Sequence, residues 1–157
     1  MYFKSLIDSL GNNKLKIFVD MDGVIADYNV IKLTDYSKKR PLYSNIKKLE
    51  EVSKKENVEL YILSVSIRTK GIEEKNEWLD RYAPFFDRNK RIIISKEENK
   101  SISSKILKVN YIKNIVKDNS KIIIIDDDPY ILNEINELCD DVILLKDTVL
   151  VDWFNNM

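Results

Sequence analysis

Four short apolar runs constrain the chain most: Leu15 to Val19, Val58 to Leu63, Arg91 to Ile94 and Lys121 to Ile125. Each is too brief to stand alone as a helix and is rich in isoleucine, valine or leucine, as strands buried on both faces are. A weaker fifth run covers Asp141 to Leu145. Between them the apolar residues change to helical spacing. Ile46, Leu49 and Val52 share a face behind a Ser44 or Asn45 cap, Ile72, Trp78 and Leu79 predict a helix to about Tyr82, and Ile112, Ile115 and Val116 mark a third. Asp128 as cap and Pro129 in the first turn open a fourth, continued by Ile131, Leu132, Ile135 and Leu138. Parallel strands need crossover connections, so this alternation predicts an α/β fold with a mostly parallel five-stranded sheet flanked by helices.

The 157 residues, 44% of them hydrophobic, suit a single compact domain. Met1 to Leu10 reads as an additional N-terminal helix ending near Gly11-Asn12-Asn13. Twenty-six basic residues balance 26 acidic ones, so the whole chain exerts no net attraction on nucleic acid or anionic lipid. Cys139 is the sole cysteine, and the opening residues lack a signal peptide's apolar core. No apolar run approaches the roughly 20 residues that span a bilayer. These features predict a cytoplasmic location and no membrane partner; the oligomeric state is left open.

Histidine is absent, which excludes Ser-His-Asp triads, Cys-His dyads and imidazole-bound metals. The three glycines, Gly11, Gly23 and Gly71, are too few and too scattered for a Gly-rich phosphate loop. Chemistry must therefore come from carboxylates, hydroxyls, lysines and a metal. In open α/β sheets ligands sit beyond the carboxyl ends of the strands. There the sequence places Asp20-Met21-Asp22-Gly23-Val24, then Ser64, then Asp126-Asp127-Asp128. Carboxylates converging on one edge repel unless a cation neutralises them, and all-oxygen ligation suits Mg²⁺ completed by water and a substrate phosphate. Taken singly the signals are ordinary: Asp128 before Pro129 is a helix cap, and a strand-ending serine satisfies a turn.

In combination they resemble the haloacid dehalogenase phosphatases. The first motif reads Ile17-Phe18-Val19-Asp20-Met21-Asp22-Gly23-Val24-Ile25-Ala26-Asp27, the second Tyr61-Ile62-Leu63-Ser64, and the fourth Ile122 to Ile125 followed by Asp126-Asp127. The D-x-D-G-V-x-A-D form and Glu74-Lys75-Asn76-Glu77-Trp78-Leu79 look most like the 5′(3′)-deoxyribonucleotidase branch with its bacterial and phage relatives. The resemblance implies a Rossmann-like core and a Mg²⁺-dependent phosphomonoesterase acting on a small phosphate ester, a nucleotide above all. By the same resemblance Asp20 is the nucleophile, Asp22 the general acid and base, and Ser64 and Lys108 bind phosphate. Asp20, Asp126, the Asp22 backbone carbonyl and, directly or through water, Asp127 hold the metal. Lys105 and Lys100 are alternatives to Lys108 as the lysine expected near the start of the helix before the last acidic strand.

Nucleotidases of that branch carry a sizeable helical cap between the first two motifs, whereas only Tyr28 to Leu42 is available here, with a basic Lys38-Lys39-Arg40 stretch. Tyr28, Tyr36 and Tyr43 are candidates to stack on a base, and Arg68 and Lys70 to meet a polyanion. An open site would also suit a larger substrate, such as a polynucleotide end or a phosphoprotein. Two non-enzymatic alternatives share these features: a phospho-receiver domain, whose acceptor Asp should end the third strand, and a catalytically silent binding module on the phosphatase fold.

Overall fold

The computed structural model describes residues 2–28, 35–115 and 117–151. Its strands are β1 (Leu15–Val19), β2 (Val58–Ser66), β3 (Arg91–Ser95), β4 (Lys121–Asp126) and β5 (Val142–Lys146). Its helices are α1 (Tyr2–Ser9), α2 (Tyr43–Ser53), α3 (Lys70–Tyr82), α4 (Ser104–Lys113) and α5 (Pro129–Leu138). All strands are parallel in the order β3-β2-β1-β4-β5, a Rossmann-like α/β sheet as the alternation predicts. The chain steps outward from β1 to β3 and then returns to the other side of β1. That reversal puts the ligand crevice over the carboxyl ends of β1 and β4. A receiver domain would place its third strand beside the first, in the order 2-1-3-4-5. Here β1 lies between β2 and β4, which sets that alternative aside.

Side-chain alternation divides the core in two. Leu15, Ile17 and Val19 of β1 and Ile123 and Ile125 of β4 pack with Phe3 and Ile7 of α1, Leu49 of α2, and Trp78 and Leu79 of α3. Phe18, Leu63 and Ile124 face the other way, onto Val109 and Ile112 of α4 and Ile131 and Ile135 of α5. Asp20 and Asp126 continue the series of Phe18 and Ile124, and so emerge on the α4 side. Ser64 continues that of Ile62, on the α3 side. The predicted N-terminal helix is part of the core, since Phe3 is 0% exposed.

Several boundaries differ from expectation. The strand predicted to stop at Leu63 runs to Ser66, so Ser64 lies within it. Neither Ser44 nor Asn45 caps α2; Leu42 stands at the cap without a side-chain bond, and Asn45 instead donates to the Val24 carbonyl at 2.8 Å. The third helix lies earlier than Ile115 suggests, capped by Ser103, whose Oγ accepts from the Ile106 N–H; Val116 is outside the described residues. Asp128 caps α5 as predicted, accepting from the Tyr130 N–H at 2.9 Å. No helix among the described residues is long and apolar enough to cross a membrane.

Candidate active site

The β1–β4 register pairs Val19 with Ile125, and the Asp20 N–H donates to the Ile125 carbonyl at 3.0 Å. One further step along each strand therefore brings Asp20 beside Asp126, and Asp127 follows. Carboxylate oxygens of Asp20, Asp126 and Asp127 all lie within 4.8 Å of one another. Asp20 is 8% exposed and Asp126 2%, so water screens their repulsion poorly. Burial, reinforced by the Asp20 charge, pushes Asp126 up to about 6. Burial together with the charges of Asp20 and Asp126 pushes Asp127 up to about 7.

Lys108 answers part of that charge. Its Nζ donates to Asp20 Oδ1 and Asp126 Oδ2, both at 2.8 Å. Burial works against its ammonium, but the two carboxylates outweigh burial and hold its pKa above the usual lysine range. It sits in the second turn of α4, not at the helix start. The alternatives do not reach the cluster: Lys105 Nζ lies over the Tyr130 ring at 4.9 Å, and Lys100 is exposed. The Asp128 N–H fixes the other Asp126 oxygen at 2.9 Å. Gly23 has φ +83°, and a Cβ there would fall 2.0 Å from Asp127 Oδ2. The chain turns sharply at Gly23, and both the positive φ and the Asp127 carboxylate favour a residue without a side chain.

Asp22 belongs to a second cluster. Its carboxylate is not among the three that converge. Its Oδ1 accepts from Tyr36 Oη at 2.9 Å and Lys39 Nζ at 2.5 Å, and its Oδ2 from Lys75 Nζ at 3.3 Å. Burial raises its pKa, but Lys75 and Lys39 more than offset this and hold it below the usual carboxylate range. Lys75 also donates to Ser64 Oγ at 2.7 Å and to the Val65 carbonyl at 3.0 Å. Its own pKa is lowered by burial, partly countered by Asp22 and Asp20.

Lys75 and Lys39 were missed as site residues by sequence reasoning. Lys75 carries a usable signal, because it shares the i, i+3, i+4 face of α3 with the buried Trp78 and Leu79. A lysine on that face needs a partner. Lys39 gives no such signal within a basic run. The tyrosines expected to stack on a base are used otherwise: Tyr36 is buried edge-on against Trp78, and Tyr43 stands edge-on to Tyr82. Tyr28 is 63% exposed. Of the basic pair after β2, Arg68 lies 3.6 Å from Glu74 and lines a cavity of about 60 Å³ with Asp22, Tyr36, Lys39, Ile67 and Lys75. Lys70 does not line it. Of the reduced cap segment, residues 29–34 are outside the described residues.

The two clusters differ in sign. Three carboxylates against the Lys108 ammonium leave two formal negative charges, whereas Asp22 against Lys39 and Lys75 leaves one positive. The first donor set, all oxygen and with Asp126 and Asp127 raised in pKa, fits a hard dication. The second, two ammoniums and the Ser64 hydroxyl, fits an oxyanion.

No protein-family model matches the chain, and no curated protein matches it. Among solved structures it is similar to the N-terminal part of the protein BF1531 from Bacteroides fragilis, which contains a phosphatase domain complexed with Mg. The two share 19% identity at a TM-score of 0.52, over 88% of this chain and 37% of the other. The chain thus spans little more than a third of that neighbour, and the likeness is one of fold: a parallel sheet flanked by helices.

Proposed function

We propose that this chain is a Mg²⁺-dependent phosphomonoesterase that works through an aspartyl phosphate on Asp20, after the pattern of the haloacid dehalogenase phosphatases. The observation that carries the reading is the pairing of a formally doubly negative cluster at the carboxyl ends of β1 and β4 with a formally singly positive one beside it, toward β2. A dication and a phosphate placed side by side need that partition. The fold likeness to a Mg-complexed phosphatase domain supports it.

In this reading Asp20, Asp126 and the Asp22 backbone carbonyl hold Mg²⁺, with Asp127 bound directly or through water. When bound, the ion screens nucleophile from phosphate and polarises the phosphoryl oxygens. Ser64 and Lys75 bind one side of the phosphoryl group, and Lys108 binds the other while orienting Asp20. Asp20 would attack phosphorus in line with the leaving oxygen, whose bond to phosphorus breaks, and water would then hydrolyse the aspartyl phosphate, releasing inorganic phosphate and restoring the Asp20 carboxylate. Asp22 rests as a carboxylate because of its lysines. A phosphate that draws Lys75 away releases Asp22 toward the protonated form that serves the leaving group, and Asp22 later takes a proton from the attacking water.

The substrate class proposed first is a nucleotide, on the motif resemblance. A second reading is a larger substrate, such as a polynucleotide end or phosphoprotein. The cavity of about 60 Å³ beside Asp22 favours it, being small against the roughly 300–1,000 Å³ of sites that enclose ligands. The test is phosphate release from nucleoside monophosphates, sugar phosphates, phosphopeptides and 3′- or 5′-phosphorylated oligonucleotides, with and without chelator. Asp20→Asn serves as blank and should lose about a thousandfold or more in turnover with an aryl phosphate. Wild-type rates in that variant would refute the nucleophile, and activity in excess chelator would refute the metal.

A further inference from the structure

We propose that Lys39 is a positioning residue whose task is to hold the Asp22 carboxylate away from the metal cluster, keeping it in reserve for proton transfer. The inference rests on the phosphatase reading of the same site. Asp22 stands two residues from Asp20, just before the turn at Gly23, and its part-exposed carboxylate takes its orientation from the hydrogen bonds of Tyr36, Lys39 and Lys75. A carboxylate so placed is a natural further ligand for a dication held by Asp20, Asp126 and Asp127. Ligation would take it from the leaving group.

Three donors prevent this, and two of them come from residues 35–42, the segment in the place of a cap. Tyr36 and Lys39 both bind Asp22 Oδ1, and Lys39 makes the shorter bond. Lys39 is itself pinned. The Trp78 indole N–H donates to its carbonyl at 2.9 Å, and its own N–H bonds the Tyr36 carbonyl at 3.1 Å. The Tyr36 ring lies 5.0 Å from the Lys39 ammonium and 5.1 Å from that of Lys75, and meets Trp78 edge-on. With 4% of its side chain exposed, Lys39 is too enclosed to serve as a solvated surface charge. Its ammonium forms an ion pair with the Asp22 carboxylate. The short segment therefore carries a fixed cation aimed at one carboxylate.

The test compares wild type, Lys39→Met and Lys39→Arg, with folding checked by circular dichroism. Mg²⁺ affinity is measured by calorimetry, and kcat/KM on one alkyl and one aryl phosphate. In Lys39→Met the freed Asp22 should join the metal, tightening Mg²⁺ by about tenfold. The same variant should lose about tenfold or more in the alkyl-to-aryl ratio, because the poorer leaving group depends more on Asp22. The tightening should vanish in an Asp22→Ala background, whereas a mere loss of positive charge would persist there. Lys39→Arg should keep the wild-type ratio. If Lys39→Met does not fold, Tyr36→Phe, which removes only a hydroxyl donor, should shift both readings in the same direction. Unchanged affinity, tightening that survives Asp22→Ala, or equal losses on both esters would overturn the proposal. A wild type inactive on every ester would instead remove the phosphatase reading, and the calorimetric arm would still decide whether Lys39 restrains Asp22.

Discussion

Gly23 shows how a single residue can serve two constraints. Its φ of +83° costs any side-chain-bearing residue about 1–2 kcal/mol, and its missing Cβ makes room for Asp127 Oδ2. Gly23→Ala should therefore lower the melting temperature in chelator and also weaken Mg²⁺ binding by displacing Asp127. Calorimetry on the folded variant checks the second effect, and unaltered binding would mean that Asp127 is not needed at the metal. At this scale the acidic half of the site was legible in the sequence. Asp20 and Asp126 end apolar strands, so fixing the strands locates them at the sheet edge, and register brings them together. The basic half was legible only in part. Lysines are numerous, and whether one is buried depends on contacts between distant segments, such as Lys75 on Ser64 or Lys39 under Trp78. The face it shares with Trp78 and Leu79 marks Lys75 as enclosed without naming its partner, and no local pattern marks Lys39 at all.

Among the elements, α4 matters most, because it carries Lys108 to Asp20 and Asp126 from the far side of the chain. The Ser103 hydroxyl closes its N-terminus by accepting from the Ile106 N–H. Ser103→Ala should cost about 1 kcal/mol of stability, read as a shifted denaturation midpoint at constant slope. It should also lower turnover without changing Mg²⁺ affinity, since the residue touches no ligand of the cluster. A loss confined to stability would show that Lys108 is held by its ion pairs and not by the helix end. The same element explains the largest misplacement from sequence. The buried face of α4 is Leu107, Lys108, Val109 and Ile112, so a charged residue stands among apolar positions and interrupts the periodicity. An apolar reading then slides toward Ile112 and Ile115, past the true cap. The strands suffered less, because runs of isoleucine and valine define a buried strand without reference to a functional residue, and only their ends, at Ser66 and Asp126, extend into the site.

For the whole molecule, the absence of histidine turns the site into the main pH-dependent element near neutrality. Among the described residues, Asp126 and Asp127 are the side chains whose pKa values are placed between 5 and 8, at about 6 and about 7. The other shifted carboxylates, Asp8, Asp22, Asp35, Glu59, Asp80, Glu97 and Asp118, are lowered, so their contributions are lost only in acid. Unfolded aspartate titrates near 3.9. Above that value the folded, metal-free protein retains protons on Asp126 and Asp127 that the unfolded chain has released. Stability must then fall as pH rises from about 4 to about 7, because the folded state binds the more protons across that window. Mg²⁺ prefers the deprotonated pair and competes with those protons, so its stabilisation must grow over the same interval. At a hundredfold excess over its dissociation constant a single bound ion contributes about 2.7 kcal/mol. Thermal melts of chelated protein should therefore show a midpoint falling between pH 5 and pH 8, with Mg²⁺ raising it more at the upper end. In Asp127→Asn, whose side chain has no proton to release, the chelated slope should flatten. A chelated midpoint independent of pH in that range, or one rising with it, would mean that the three carboxylates are not confined together as the fold places them.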